Sequence, residues 1–128
     1  MALEYIDHYT LQVKTSDLPK LVAFYENALG LRDGRRPPFD FPGNWLYLED
    51  KPVVHLVGSE KEAPLGAEPL SCGKLDHISF RCTDKKAMQQ RLVSMGLTVH
   101  EQSVPGSAIE QLFVRDPAGL LVELTFLV

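Results

Sequence analysis

Two stretches of the chain carry the same alternation of apolar and polar positions. Ile6-Asp7-His8-Tyr9-Thr10-Leu11-Gln12-Val13 is matched, position by position in character, by Leu75-Asp76-His77-Ile78-Ser79-Phe80-Arg81-Cys82. Period-two alternation marks a half-buried strand, so each copy predicts a strand with its histidine on the polar face and Leu11 and Val13, or Ile78, Phe80 and Cys82, on the packed one. A helix should follow each. Leu18, Leu21, Val22, Tyr25 and Leu29 recur at three- and four-residue spacing behind Thr15-Ser16-Asp17, with Pro19 tolerable in the first turn and Gly30 as the stop. The second copy repeats this with Thr83-Asp84 as cap, Ala87, Met88, Leu92 and Met95 as stripe, and Gly96 as stop.

Beyond the first helix, Leu31 to Gly43 holds Pro37-Pro38 and little periodicity, which predicts a loop or an edge segment. Its arginines, Arg32, Arg35 and Arg36, either meet an anionic substrate or are solvated loop charges. Trp45 to Glu49 and Val53 to Val57 read as a hairpin that turns Trp45, Tyr47, Val53 and His55 toward one common face. In the second copy, Thr98 to Gln102, Ile109 to Val114 and Leu120 to Val128 read as strands, with Asp116-Pro117-Ala118-Gly119 as a tight turn. Each copy is therefore a strand-helix-strand-strand-strand unit. Module one covers about residues 4–58 and module two about 74–128, joined by a breaker-rich connector, 59–73, that contains Pro64, Gly66, Pro69 and Gly73.

Composition narrows the class. A chain of 128 residues with 45% hydrophobic content is a one-domain length with enough apolar material for a core. A formal charge of -4, with acidic and basic residues interspersed, gives no basic stripe for nucleic acid. No apolar run approaches the roughly 20 residues of a membrane span, and no basic region followed by an apolar core opens the chain, so the expectation is a cytoplasmic protein with no membrane partner. Cys72 and Cys82 are expected to be reduced thiols.

The candidate chemistry lies in the repeat. His77 follows His8 by 69 positions and Glu123 follows His55 by 68, so four potential ligands occupy the same two places, first strand and last strand, in each copy. Histidines with a carboxylate are the usual ligand set for a first-row divalent metal, and two histidines with one carboxylate leave positions open for substrate or water. Each residue also has a plainer reading. The strand histidines can be surface or hydrogen-bonded residues, His55 can be a satisfied histidine within Val53 to Val57, and Glu123 can sit at the wet rim of its sheet. His100 has no counterpart in the repeat and is expected to be exposed.

The paired strand histidines, Phe24-Tyr25 followed by Leu29-Gly30-Leu31, and the closing run Phe113-Val114-Arg115-Asp116-Pro117-Ala118-Gly119 into Val122-Glu123-Leu124 resemble the vicinal oxygen chelate superfamily. That group includes glyoxalase I, methylmalonyl-CoA epimerase, extradiol dioxygenases, fosfomycin-resistance thiol transferases and bleomycin-binding proteins. The resemblance implies an α+β fold: two tandem βαβββ modules forming a curled mixed-sheet cup, helices outside, one divalent metal (iron, zinc, nickel, cobalt or manganese) inside, and a homodimer. By position it makes His8, His77 and Glu123 the metal ligands. His55 stands where glyoxalase I carries a glutamate and the epimerase a glutamine, so it is either a fourth ligand or, with Glu123, a catalytic acid/base group. Trp45, Tyr47 and Phe113 are then candidate walls for a small-molecule substrate, with core packing as the alternative for Phe113. Arg81 is a candidate anion-binding group, or a strand-end arginine reaching solvent. The implied activity is metal-stabilised, enolate-type isomerase or lyase chemistry on a small oxygenated substrate. An Fe(II) extradiol ring-cleaving dioxygenase and a non-catalytic binding protein of the bleomycin-resistance kind are the alternatives.

Overall fold

The computed structural model describes residues 4–66 and 72–127. Pro69 of the connector and Val128 of the last strand lie outside that range. The chain is α+β and divides into two units, Met1–Leu65 and Gly66–Val128, built on one plan. The first runs β1 (Tyr9–Val13), α1 (Leu18–Asn27), β2 (Arg32–Gly34), β3 (Gly43–Leu48) and β4 (Lys51–Gly58). The second runs β5 (His77–Cys82), α2 (Lys85–Ser94), β6 (His100–Ser103), β7 (Ile109–Arg115) and β8 (Leu121–Leu127). Each forms a four-stranded mixed sheet, in the order β1-β4-β3-β2 and β5-β8-β7-β6.

The order follows from local rules. Consecutive strands joined by short turns pair antiparallel, as β3 with β4 and β7 with β8. The first strand of each unit is followed by a helix, which carries the chain across so that its last strand returns parallel to the first: β1 beside β4, β5 beside β8. The positions that carried the repeat in sequence are thus neighbours in the sheet. Thr10 pairs with His55 and Ser79 with Glu123.

In the first unit, Leu11, Val13, Leu46, Val54 and Leu56 point to one side and are buried under Leu21, Phe24 and Tyr25 of α1 and Ala28 at its end. Burial of this kind contributes about 1.5–3 kcal/mol per large side chain. Tyr25 has no exposed surface, and its hydroxyl is 2.9 Å from that of Tyr9. Gly30 takes a φ of 80°, the left-handed stop that its position after α1 requires. In the second unit Leu112, Val114, Val122, Leu124 and Phe126 form the buried face, with Leu92 of α2.

Three sequence expectations shift. Both first strands begin later than the alternation suggests: Ile6 is 87% exposed and β1 starts at Tyr9, which leaves His8 just ahead of its strand and His77 at the first residue of its own. Arg32–Gly34 is a short edge strand, the edge alternative expected for the proline-bearing stretch. β6 starts at His100 rather than Thr98. Finally, α2 buries Leu92 but not its whole stripe; Ala87 and Met95 are exposed. The start of that helix is held by charge instead. Lys85 Nζ lies 2.6 Å from Glu110 and 2.8 Å from Glu101, and the Asp84 carboxylate accepts from the Ala87 N–H as a cap.

Asp116-Pro117-Ala118-Gly119 is a turn built on one carboxylate. Asp116 is 3% exposed, and its Oδ1 accepts from the backbone N–H of Ala118 and of Leu120, so it fixes the entry into β8. Among the described residues, no helix is long and apolar enough to cross a membrane.

Candidate metal centre

In the second unit, β5 and β8 carry His77, Ser79 and Arg81 beside Leu121, Glu123 and Thr125 on the face opposite the core. His77 is positioned by its own neighbour. Its Nδ1 is 2.8 Å from Asp76 Oδ2, and a carboxylate only accepts, so Nδ1 carries a proton and, in the neutral imidazole, Nε2 is the nitrogen with the lone pair. That bond raises the His77 pKa above 6.5, with the Glu123 charge adding to it. His77 Nε2 lies 4.0 Å from Glu123 Oε1.

Glu123 is buried, at 9% exposure, on a strand whose neighbours are Val122 and Leu124. A carboxylate there needs partners. Gln111 Nε2 donates to Oε1 at 2.9 Å, and Thr125 Oγ1 donates to Oε2 at 3.2 Å. The wet-rim alternative for Glu123 therefore falls away. Gln111 was not singled out from sequence; its signal is the spacing of two from Phe113, which places it on the same strand face.

The first unit arranges its matching residues differently. His8 repeats the dyad, its Nδ1 2.7 Å from Asp7 Oδ2, and so also presents Nε2 as its free donor. His55 stacks on His8 with ring centroids 3.7 Å apart and on Trp45 at 4.0 Å, both at 12°. Two parallel rings cannot share one face, so His55 lies between them. Its Nε2 donates to the Pro52 carbonyl at 3.0 Å, which leaves the Nδ1 lone pair in the ring plane, where neither stacked ring stands. Partial burial lowers the His55 pKa below 6.5, and the neighbouring His8 lowers it further. It is a neutral imidazole at pH 7.

The other candidate residues separate. Trp45 pairs with His55 across β3 and β4, and Phe113 takes the equivalent place opposite Glu123 across β7 and β8. Tyr47 turns away to the edge, its hydroxyl donating to the Arg35 carbonyl while its ring lies over Gly34. Arg81 is exposed opposite Thr125 and enters no ion pair among the described residues. His100 is exposed as expected, but it stands opposite Phe113 and lines with it an open cavity of about 690 Å³ that also includes Gln102, Arg115 and Leu121. Cys72 and Cys82 are free thiols, half-buried, and burial raises both pKa values.

Among the described residues, no three His, Cys, Asp or Glu side chains gather into one metal-binding group. Each unit presents donors of its own. The second offers an imidazole Nε2 and a buried carboxylate facing each other, and the first an oriented imidazole Nε2, a donor chemistry that fits a first-row divalent ion.

Known proteins share this architecture. A genomically encoded fosfomycin resistance protein, FosX, from Listeria monocytogenes superposes with a TM-score of 0.72 at 17% identity, covering 97% of this chain and 93% of that one. A lactoylglutathione lyase from Agrobacterium tumefaciens gives 0.69 at 22%, covering 98% and 96%. TnmS3, an antibiotic binding protein from Streptomyces sp. CB03234, gives 0.67 at 21%, covering 100% and 99%. At these identities the likeness shows the fold alone. No protein of curated function matches the sequence. The family model for the Glyoxalase/Bleomycin resistance protein/Dioxygenase superfamily matches residues 5–124, nearly the whole chain, and the protein belongs to that superfamily.

Proposed function

We propose that the protein is a divalent-metal-dependent enzyme acting on a small oxygenated molecule by isomerase or lyase chemistry, with His8, His77 and Glu123 as the ligand set. The observation that carries this reading is the buried Glu123 carboxylate facing the oriented Nε2 of His77. Two neutral donors, Gln111 and Thr125, hold the buried carboxylate, neither brings a positive charge, and a cation is the partner that a carboxylate favours. When bound, the metal would hold two neighbouring substrate oxygens and stabilise the negative charge that develops on them.

The chain's own residues supply the rest. Asp7 and Asp76 fix the tautomers of His8 and His77, and Gln111 and Thr125 hold the Glu123 carboxylate in one orientation. His55 is the acid/base group: neutral, immobilised between two rings, with Nε2–H tied to Pro52, it takes a proton from the substrate carbon at Nδ1 and returns it to the neighbouring carbon. The fold is shared with a lactoylglutathione lyase, which agrees with this class of chemistry.

The test is elemental analysis of anaerobically purified protein. One equivalent of zinc, nickel, cobalt or manganese, with turnover of hemithioacetals or acyl thioesters, supports the reading. Iron with oxygen uptake on catechols would replace it by ring cleavage. No retained metal, and no change in melting temperature on adding divalent ions, would overturn it in favour of a binding protein.

A further inference from the structure

The proline-bearing segment between β2 and β3 is a built surface rather than a loose connection. Gly58 N–H donates to the Pro42 carbonyl at 2.9 Å, and Arg36 Nη2 donates to the Phe41 carbonyl at 2.8 Å. A Cβ on Gly43 would meet the Leu56 carbonyl at 2.3 Å and Arg36 Nη2 at 3.1 Å, so only glycine lets the segment close down under that guanidinium. The result is a stack. Phe39 and Phe41 lie 4.9 Å apart at 18°, with the Arg36 guanidinium 5.1 Å and 5.0 Å from their centroids.

The stack continues. Phe39 is 6.3 Å from Trp45, tilted by 50°, and Trp45 lies on His55 and His55 on His8. Five rings thus run from solvent to the proposed first-unit ligand. The outer two are 45% and 39% exposed, an apolar surface without cover. The charge beside it is positive. Arg32, Arg35 and Arg36 enter no ion pair among the described residues, although Asp33 and Asp40 lie in the same stretch.

We infer that Phe39, Phe41 and Trp45, with Arg36, form a stacking subsite for a planar, conjugated, anionic ligand, and that this is the substrate class of the proposed site. The inference deepens the reading above and rests on it for the word substrate. A flat π-system matches aromatic rings that remain partly exposed, and a carboxylate or phenolate matches a guanidinium held in place by its bond to the Phe41 carbonyl. An aliphatic ligand of the same charge would leave the ring faces unmatched.

Trp45 is the one tryptophan in the chain, so its indole N–H gives a single amide-type cross-peak that reports on this surface. Metal-free protein in chelator is titrated with 2-naphthoate, with decalin-2-carboxylate (same charge, not planar), and with 2-naphthalenemethanol (planar, uncharged). The expected result is a saturable shift with naphthoate that binds more tightly than either control. Phe39→Leu and Phe41→Leu, which keep apolar bulk, should each weaken it by about 2- to 10-fold, the scale of one aromatic pair. Arg36→Met should erase the preference for naphthoate over the alcohol, and Arg36→Lys should retain part of it. Equal binding of naphthoate and the decalin acid, or unchanged affinity in both leucine variants, would overturn the inference. Because no metal is present, that failure is separate from any failure of the metal reading.

Discussion

His77 Nε2 and Glu123 Oε1 face each other at 4.0 Å, from residues that the parallel β5–β8 pair brings to one face of the sheet. Removing the charge while keeping the shape isolates its role. Glu123→Gln should fold, since Gln111 and Thr125 remain as hydrogen-bond partners for an amide, and should lose metal retention. Metal-to-protein ratio after gel filtration checks this. A variant that kept a full equivalent would remove Glu123 from the ligand set.

The Asp76–His77 bond makes a second prediction. An oriented ligand loses affinity when its positioning partner is removed, by about 10- to 100-fold in known metal sites. Asp76→Asn should weaken metal binding on that scale without changing the fold, and Asp7→Asn should act the same way through His8. Competition against a calibrated chelator gives the constants.

The two units should respond to pH in opposite directions. His55 has a folded pKa below 6.5, so the stability that it contributes is present above 6.5 and lost as pH falls through the folded value. His77 has a folded pKa above 6.5, so its contribution is present below 6.5 and lost as pH rises through that value. In metal-free protein, ring-proton NMR titration should place His55 below and His77 above the ordinary midpoint. A shift in the same direction for both residues would contradict burial beside His8 and the Asp76 bond as causes.

Asp116 should matter for stability rather than chemistry. Asp116→Ala strips the acceptor from two turn N–H groups at a buried position, which should cost about 1–3 kcal/mol. Urea denaturation measures it, and metal content per folded molecule should be unchanged.

Much of this was legible in the sequence because the repeat is expressed at the level of single strands. Alternation set His77 and Glu123 on strand faces opposite the packed residues, and Gly30 and Gly96 marked the ends of both helices. What stayed hidden depends on contacts across strands. The hairpin put Trp45 and His55 on one face, but the His8–His55 stack needs the parallel β1–β4 pairing as well, which no local pattern encodes. Gln111 looks like any polar residue on a strand until Glu123 is opposite its neighbour Phe113. The stripe of α2 misled because, of its four residues, only Leu92 is fully buried, with Ala87 and Met95 exposed.

The most direct test of the ligand assignment is a long-range nitrogen–proton NMR spectrum of the histidine rings, recorded before and after one equivalent of Zn(II). The account predicts that Nε2 of His8 and of His77 shift together, that their Nδ1 atoms stay protonated on Asp7 and Asp76, and that Glu123→Gln abolishes the change. Zinc that left both Nε2 resonances unmoved, or that moved them equally in the Glu123→Gln variant, would contradict it.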